Sequence, residues 1–145
     1  MRTEPFGTEA IERYLSAHGL RYFRGHHDGE FFFIMTVDHS RLHVHLGPTA
    51  DRPDGCTIRV TPACFFRADD RARLLDIAHR WNYANPCATA LVHESSDPAR
   101  VGVDVEYKGS VTCYEEFGYF ADHAIESSVK LFRELSQAPA LRDAS

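Results

Sequence analysis

A two-residue alternation of apolar and polar side chains in the middle of the chain restricts its fold more than any other feature. Segments 41–46 and 56–61 both alternate in this way. Such patterns are typical of strands that bury one face and expose the other. Segment 30–37 precedes them, and turn-rich connections link the three, which predicts an antiparallel meander. Two further strand-like segments, 87–93 and 101–107, are predicted to form a hairpin.

Two segments that flank the meander carry the apolar spacing of amphipathic helices. The first helix is predicted over 8–18, with Thr8 as its cap and Gly19 as its end. A short strand, 20–24, follows it. The second helix is predicted over 69–83 and ends before Pro86, because the residue preceding a proline is driven out of helical geometry.

The third helix has the clearest pattern in the sequence. Thr112 and Glu115 have the spacing of a capping box, in which each side chain bonds a free amide of the first turn. The predicted buried stripe comprises Phe117, Phe120, Ala121, Ala124, Ile125, Ser128, Leu131, Phe132 and Leu135.

The order of these elements predicts the fold class. One helix, three or four strands, a helix, two strands and a last helix indicate an α+β fold, with an antiparallel sheet and helices packed mainly on one face. The length of 145 residues suits one domain. We assign it to 1–136 and predict a flexible tail over 137–145.

Composition argues against several partners and compartments. The formal net charge is −5, which argues against nucleic acid or anionic lipid as a partner. The longest apolar run, 31–35, is too short for a membrane span, and without a signal-peptide core we expect a cytoplasmic protein. The cysteines lack the paired spacing of a zinc site, so we expect buried, reduced thiols. These are Cys56, Cys64, Cys87 and Cys113.

The strand that contains 31–35 is apolar on both faces, unlike its neighbours. Phe31, Phe33 and Met35 share one face, whereas Phe32 and Ile34 share the other. Helices on one side would leave the second face for another helix, a second subunit or a bound peptide. These five residues are the predicted partner-binding surface; a strand covered on both sides within the monomer is the alternative.

Catalytic and metal-binding patterns are weak. His43 and His45 share a strand face and could bind one metal ion, and Asp104 and Glu106 could complete a mixed site. Solvated side chains on an exposed strand face explain the same pattern. The sequence contains no nucleophile elbow and no phosphate-binding glycine loop. We therefore predict neither a catalytic residue nor a cofactor.

A family resemblance begins at Trp81 and Asn82. The segments 75–82, 88–92, 101–106 and 108–112 resemble the YbjN family of bacterial proteins, as do four residues of the last helix: Ile125, Ser128, Phe132 and Leu135. The resemblance implies a fold like that of type III secretion chaperones and a loosely described role in sensory transduction. It implies no catalytic residues.

Together, the residues and the resemblance predict a non-enzymatic protein-interaction module, chaperone-like or regulatory, that forms a homodimer and binds a protein or peptide. A small-molecule or metal-binding regulatory domain is the alternative. The residues predicted to build the core are Trp81, Asn82, Phe117, Phe120, Ile125 and Phe132.

Overall fold

The computed structural model describes residues 7–27, 29–49, 52 and 54–137. The helices in this part are α1 (Thr8–Ala17), α2 (Arg71–Ala84, preceded by a 3₁₀ turn at Ala68–Asp70) and α3 (Tyr114–Gln137). The strands are β1 (Tyr22–Arg24), β2 (Phe31–Val37), β3 (Ser40–Pro48), β4 (Gly55–Pro62), β5 (Phe66–Arg67), β6 (Ala88–Glu94) and β7 (Arg100–Ser110). The α+β class and the order of elements are confirmed; the sequence did not indicate β5.

All strands form one antiparallel sheet. The first four pair in order from β1 to β4, and β4 then pairs with β7. Val105 of β7 lies between Val60 of β4 and Ala90 of β6. Phe66 of β5 lies opposite Val101, on the same edge of β7 as β4. β1, β6 and the two-residue β5 each pair with a single neighbour, so they lie at the margins of the sheet.

The core lies on one face of this sheet, as the alternation predicts. The inner face of every strand from β2 to β7 contributes to a single buried cluster together with the apolar stripes of the three helices. Within it, Tyr107 packs edge-on against Trp81 of α2, and Ser128 of α3 donates a hydrogen bond to the Tyr107 hydroxyl at 3.1 Å. This tyrosine thus connects the sheet to two helices. Of the six predicted core residues, Phe117 and Phe132 are buried, and the other four are partly buried.

Polar contacts fix the helices and the first hairpin. The Tyr14 hydroxyl of α1 donates to Asp122 of α3 at 2.6 Å. Asp38 and His39 form the two-residue turn between β2 and β3, both with positive φ (52° and 68°), which matches the twist of the strands. Arg133 of α3 lies 2.7 Å from the Asp38 carboxylate and ties this turn to the helix.

Two local predictions need correction. Thr8 is the first residue of α1, and Gly7 occupies the cap position instead. The last helix begins at Tyr114, so Glu116 rather than Glu115 reaches back to bond the Thr112 amide and hydroxyl, each at 2.8 Å. These bonds lower the pKa of Glu116.

The cysteines are a further correction. Cys56 and Cys113 are buried as expected, but Cys64 and Cys87 are exposed because they lie outside the strands, in the connections before β5 and β6. Burial raises the pKa of the Cys56 thiol to about 12, so it stays protonated. The helix α3 includes Gln137, and the rest of the predicted tail lies outside the described residues. None of the described helices is long and apolar enough to cross a membrane.

Asn82 closes the outer edge of β6. Its side-chain amide donates to the Ala90 carbonyl at 3.1 Å and accepts from the Ala90 amide at 2.7 Å. Since β7 occupies the other edge of β6, Asn82 pairs with backbone groups that a further strand would otherwise use. Pairing with the β6 backbone is thus the structural role of Asn82 in the Trp81–Asn82 pair.

We predict that Asn82→Ala lowers the free energy of unfolding by about 1–2 kcal/mol, because it leaves two backbone groups without their partner. It should also cause concentration-dependent association by opening the edge. Urea denaturation and light scattering measure the two effects.

The matched control is Asn85→Ala, which removes only a bond from the Asn85 side chain to the Trp81 carbonyl at the end of α2. It should lower stability without association. Equal association of both variants would contradict the edge-closing role.

Candidate functional site

The outer face of the sheet, opposite the three helices, combines polar and aromatic side chains. Its side chains are exposed or half-buried, in contrast to the inner face. Its large apolar members are Phe23 (46% exposed), Phe32, Ile34 (43%) and Leu91 (56%). Antiparallel sheets tolerate a solvated face, but apolar side chains of this size are unusual on one.

One row of side chains crosses five strands of the outer face. The register places Phe23, Phe32, His45, Arg59 and Glu106 side by side. The ring of Phe32 stacks between two neighbours, with ring centroids 5.1 Å from Phe23 and 5.5 Å from His45. The Arg59 guanidinium continues the row and lies 3.2 Å from the Glu106 carboxylate. The row therefore changes from aromatic to charged along its length.

The structure divides the five residues of the predicted partner-binding surface. Phe31 and Phe33 are 1% exposed and belong to the core, and Met35 packs against it. Phe31 and Phe33 are therefore not accessible to a partner, and Met35 lies partly buried on the same inner side of the sheet. Phe32 and Ile34 lie on the outer face, as their alternate positions require, and these two are the candidates for partner contact there.

The four residues of the predicted mixed metal site do not lie on neighbouring strands. β4 separates His43 and His45 on β3 from Asp104 and Glu106 on β7. Arg59 of β4 occupies the space between and bonds Glu106. Among the described residues, no group of three or more His, Cys, Asp or Glu side chains is arranged to hold a metal ion.

His45 is held in a cationic neighbourhood. Partial burial, Arg59 and His43 lower its pKa, in that order of importance. The imidazole is consequently neutral at pH 7 and presents a flat ring beside Phe32.

The pKa of His93 is raised, in contrast to that of His45. Partial burial acts against its charged form, but the Glu94 carbonyl and Asp104 together raise its pKa. Its Nε2 lies 3.2 Å from Asp104 Oδ1, a buried oxygen that makes no well-directed hydrogen bond among the described residues. The ring lies over Gly102, where an added Cβ would come within 2.4 Å of the ring.

Sequence reasoning missed Phe23 and Leu91 as members of the outer face. The alternation of segment 56–61 placed Arg59 on a polar face, and it therefore contained part of the signal. The partner of Arg59 is Glu106, which lies 47 residues further along the chain. No local pattern could reveal it, because it depends on the pairing of β4 with β7.

We predict that the stability difference between the wild type and His93→Gln is larger at pH 5.5 than at pH 8.5. A raised pKa means that the ion pair with Asp104 stabilises the fold below about pH 6.5, the ordinary histidine pKa, and is lost as pH rises through the folded pKa. The change should stay below about 1 kcal/mol because both groups are partly solvated. Urea denaturation at the two pH values measures it.

The control introduces His93→Gln into the Asp104→Asn variant. In that background, the stability difference caused by His93→Gln should no longer depend on pH. A stability difference between the wild type and His93→Gln that grows as pH rises would contradict the stabilising role of this ion pair.

Comparison with known proteins agrees with this fold. Residues 8–137 match the family model YbjN, described as "Putative bacterial sensory transduction regulator". A similar solved structure is the crystal structure of YbjN, titled a "putative transcription regulator", from E. coli; it has a TM-score of 0.68 and 14% sequence identity, and the match covers 92% of this chain and 93% of that one. A search of curated proteins finds no significant match. Because the family model matches residues 8–137, this chain belongs to the YbjN family.

Proposed function

We propose that this chain is a non-enzymatic regulatory module that docks a partner polypeptide on the apolar half of its outer face. Phe23 and Ile34 are 46% and 43% exposed and flank the half-buried Phe32, and this exposure carries the proposal. The description of the family as a regulator supports a role in recognition rather than in chemistry.

The charges around these three side chains suggest the chemistry of the partner. Arg41 of β3 lies on the same face, opposite Thr36 and one outward-facing position beyond Ile34. An amphipathic segment with apolar and acidic side chains would complement this surface. Burying the exposed parts of Phe23 and Ile34 contributes roughly 1 kcal/mol each, so further contacts are needed for a stable complex.

The adjoining edge of β2 offers such contacts. β1 pairs only with Phe31–Phe33, and no described strand pairs with the outer edge of residues 34–37. Unpaired strand edges accept extended peptides by backbone hydrogen bonding. A partner strand added here would lie next to Ile34, which joins the edge and the apolar surface in one binding region.

We predict that Ile34→Lys reduces capture of the partner from the native cell lysate by at least about tenfold, since it places a charge in the apolar surface. The stability cost should be about 1 kcal/mol or less because Ile34 is exposed. Quantitative affinity capture with immobilised wild type and variant measures the loss.

Tyr83→Lys is the matched control, because Tyr83 is 92% exposed on α2 and lies away from the outer face. It should leave capture unchanged. Light scattering of both variants identifies a second copy of the chain as the occupant if only Ile34→Lys dissociates a dimer. Equal capture by both variants would contradict the proposal.

A further inference from the structure

A groove of about 420 Å³ lies on the inner side of the sheet, between the end of the first hairpin and the C-terminal part of α3. Val37 of β2 and Leu42 of β3 contribute to its floor, and Val129 and Phe132 contribute to the helix wall. No residue of α1 or β1 lines this groove. The described parts of these two elements therefore leave this end of the inner face uncovered.

The groove is apolar between its floor and its wall. Val37 and Val129 are half-buried, so each keeps an exposed part that another side chain could cover. The charged residues of the lining, Arg133 and Asp38, bond each other at 2.7 Å. Because this pair is neutral overall, the groove favours an apolar side chain rather than a charged one.

Val37 belongs both to this groove and to the unpaired edge of β2. It pairs with Ser40 on the two sides of the two-residue turn, so the backbone N–H and C=O of the preceding Thr36 point away from β3. Thr36 is exposed, and the pairing of β1 with β2 ends at Phe33. An extended peptide can bond such backbone groups, and its side chains then alternate between the two faces of the sheet. The edge thus selects an extended segment as its occupant.

Arg41 determines the charge that suits this segment. Arg41 is exposed on the outer face, opposite Thr36. The acidic side chain of the adjoining turn, Asp38, bonds Arg133 instead. A residue added opposite Thr36 would lie two strand spacings from Arg41, about 10 Å. The long side chains of arginine and glutamate can meet across this distance above the small threonine.

We propose that the edge of β2 binds an extended segment of the partner in which one acidic residue stands between two apolar residues. The acidic residue lies opposite Thr36 and pairs with Arg41 on the outer face. The apolar residues lie opposite Met35 and Val37 on the inner face, and the second of them fills the groove against α3. This inference deepens the proposed function and rests on it, because it specifies the sequence pattern that the partner carries.

NMR titration of the nitrogen-15-labelled protein tests the pattern. The probe is the capped peptide Thr-Thr-Ile-Glu-Ile-Thr-Thr, which has the same pattern in either strand direction. We expect it to shift the amide signals of Thr36, Val37 and Val129. It should bind at least about tenfold more tightly than two control peptides, one with lysine in place of glutamate and one with asparagine in place of both isoleucines.

Two variants assign the contacts. Val129→Lys should weaken binding of the glutamate peptide by about tenfold because it places a charge in the groove. Tyr83→Lys, on the exposed side of α2, should not. Arg41→Gln should remove the preference for glutamate over lysine, whereas Arg73→Gln, at an exposed arginine of α2, should retain it. The amide spectrum shows whether each variant is folded.

The proposal is wrong if the glutamate peptide leaves these amide signals unchanged at millimolar concentration, or if the three peptides bind equally. It is also wrong if Val129→Lys and Arg41→Gln both bind the peptides as the wild type does. Signals of the β2 edge that broaden with protein concentration alone would identify a second copy of the chain as the occupant and would equally contradict it.

Capture of the partner separates this inference from the proposed function. If Ile34→Lys loses the partner and Val129→Lys retains it, the groove is not used, and the proposed function stands. If Val129→Lys loses the partner and Ile34→Lys retains it, the proposed surface around Ile34 is wrong, and the groove stands.

Discussion

One-sided burial of the sheet is the constraint on which the rest of the structure depends. Three helices cover the inner face of every strand from β2 to β7, and the contacts of Tyr107 show how closely the layers are coupled. Its ring meets Trp81 of α2 and its hydroxyl meets Ser128 of α3, while its backbone pairs with β4 and β6. Because the helices are fully engaged on that face, they leave the opposite face of the sheet uncovered.

Contacts between side chains of neighbouring strands determine the chemistry of the outer face. Phe23, Phe32 and His45 come from three consecutive strands and stack because the register aligns them. Exposed ion pairs such as Arg59–Glu106 add little to stability. The charges of this face therefore contribute little to folding, and the proposed function uses them for recognition of a partner.

The sequence predicted the elements well because alternation and helical spacing are local signals. It predicted that His45 and Arg59 lie on polar faces, and the structure agrees. It could not show that β4 lies between β3 and β7, because strand order depends on contacts between distant segments. For this reason the idea of a mixed site of His43, His45, Asp104 and Glu106 could not be judged in advance. The role of Asn82 was equally hidden, because it depends on which edge of β6 is free.

The bond pattern of Asn82 has a consequence for stoichiometry. Asn82 occupies the outward-facing backbone groups of Ala90 in the middle of β6, whereas no described strand pairs with the outer edge of residues 34–37 in β2. If strands add only beside β2, two copies joined through that margin form a closed pair with two-fold symmetry, and growth stops there. By blocking the middle of β6, Asn82 would then limit the domain to one strand-donating partner at a time.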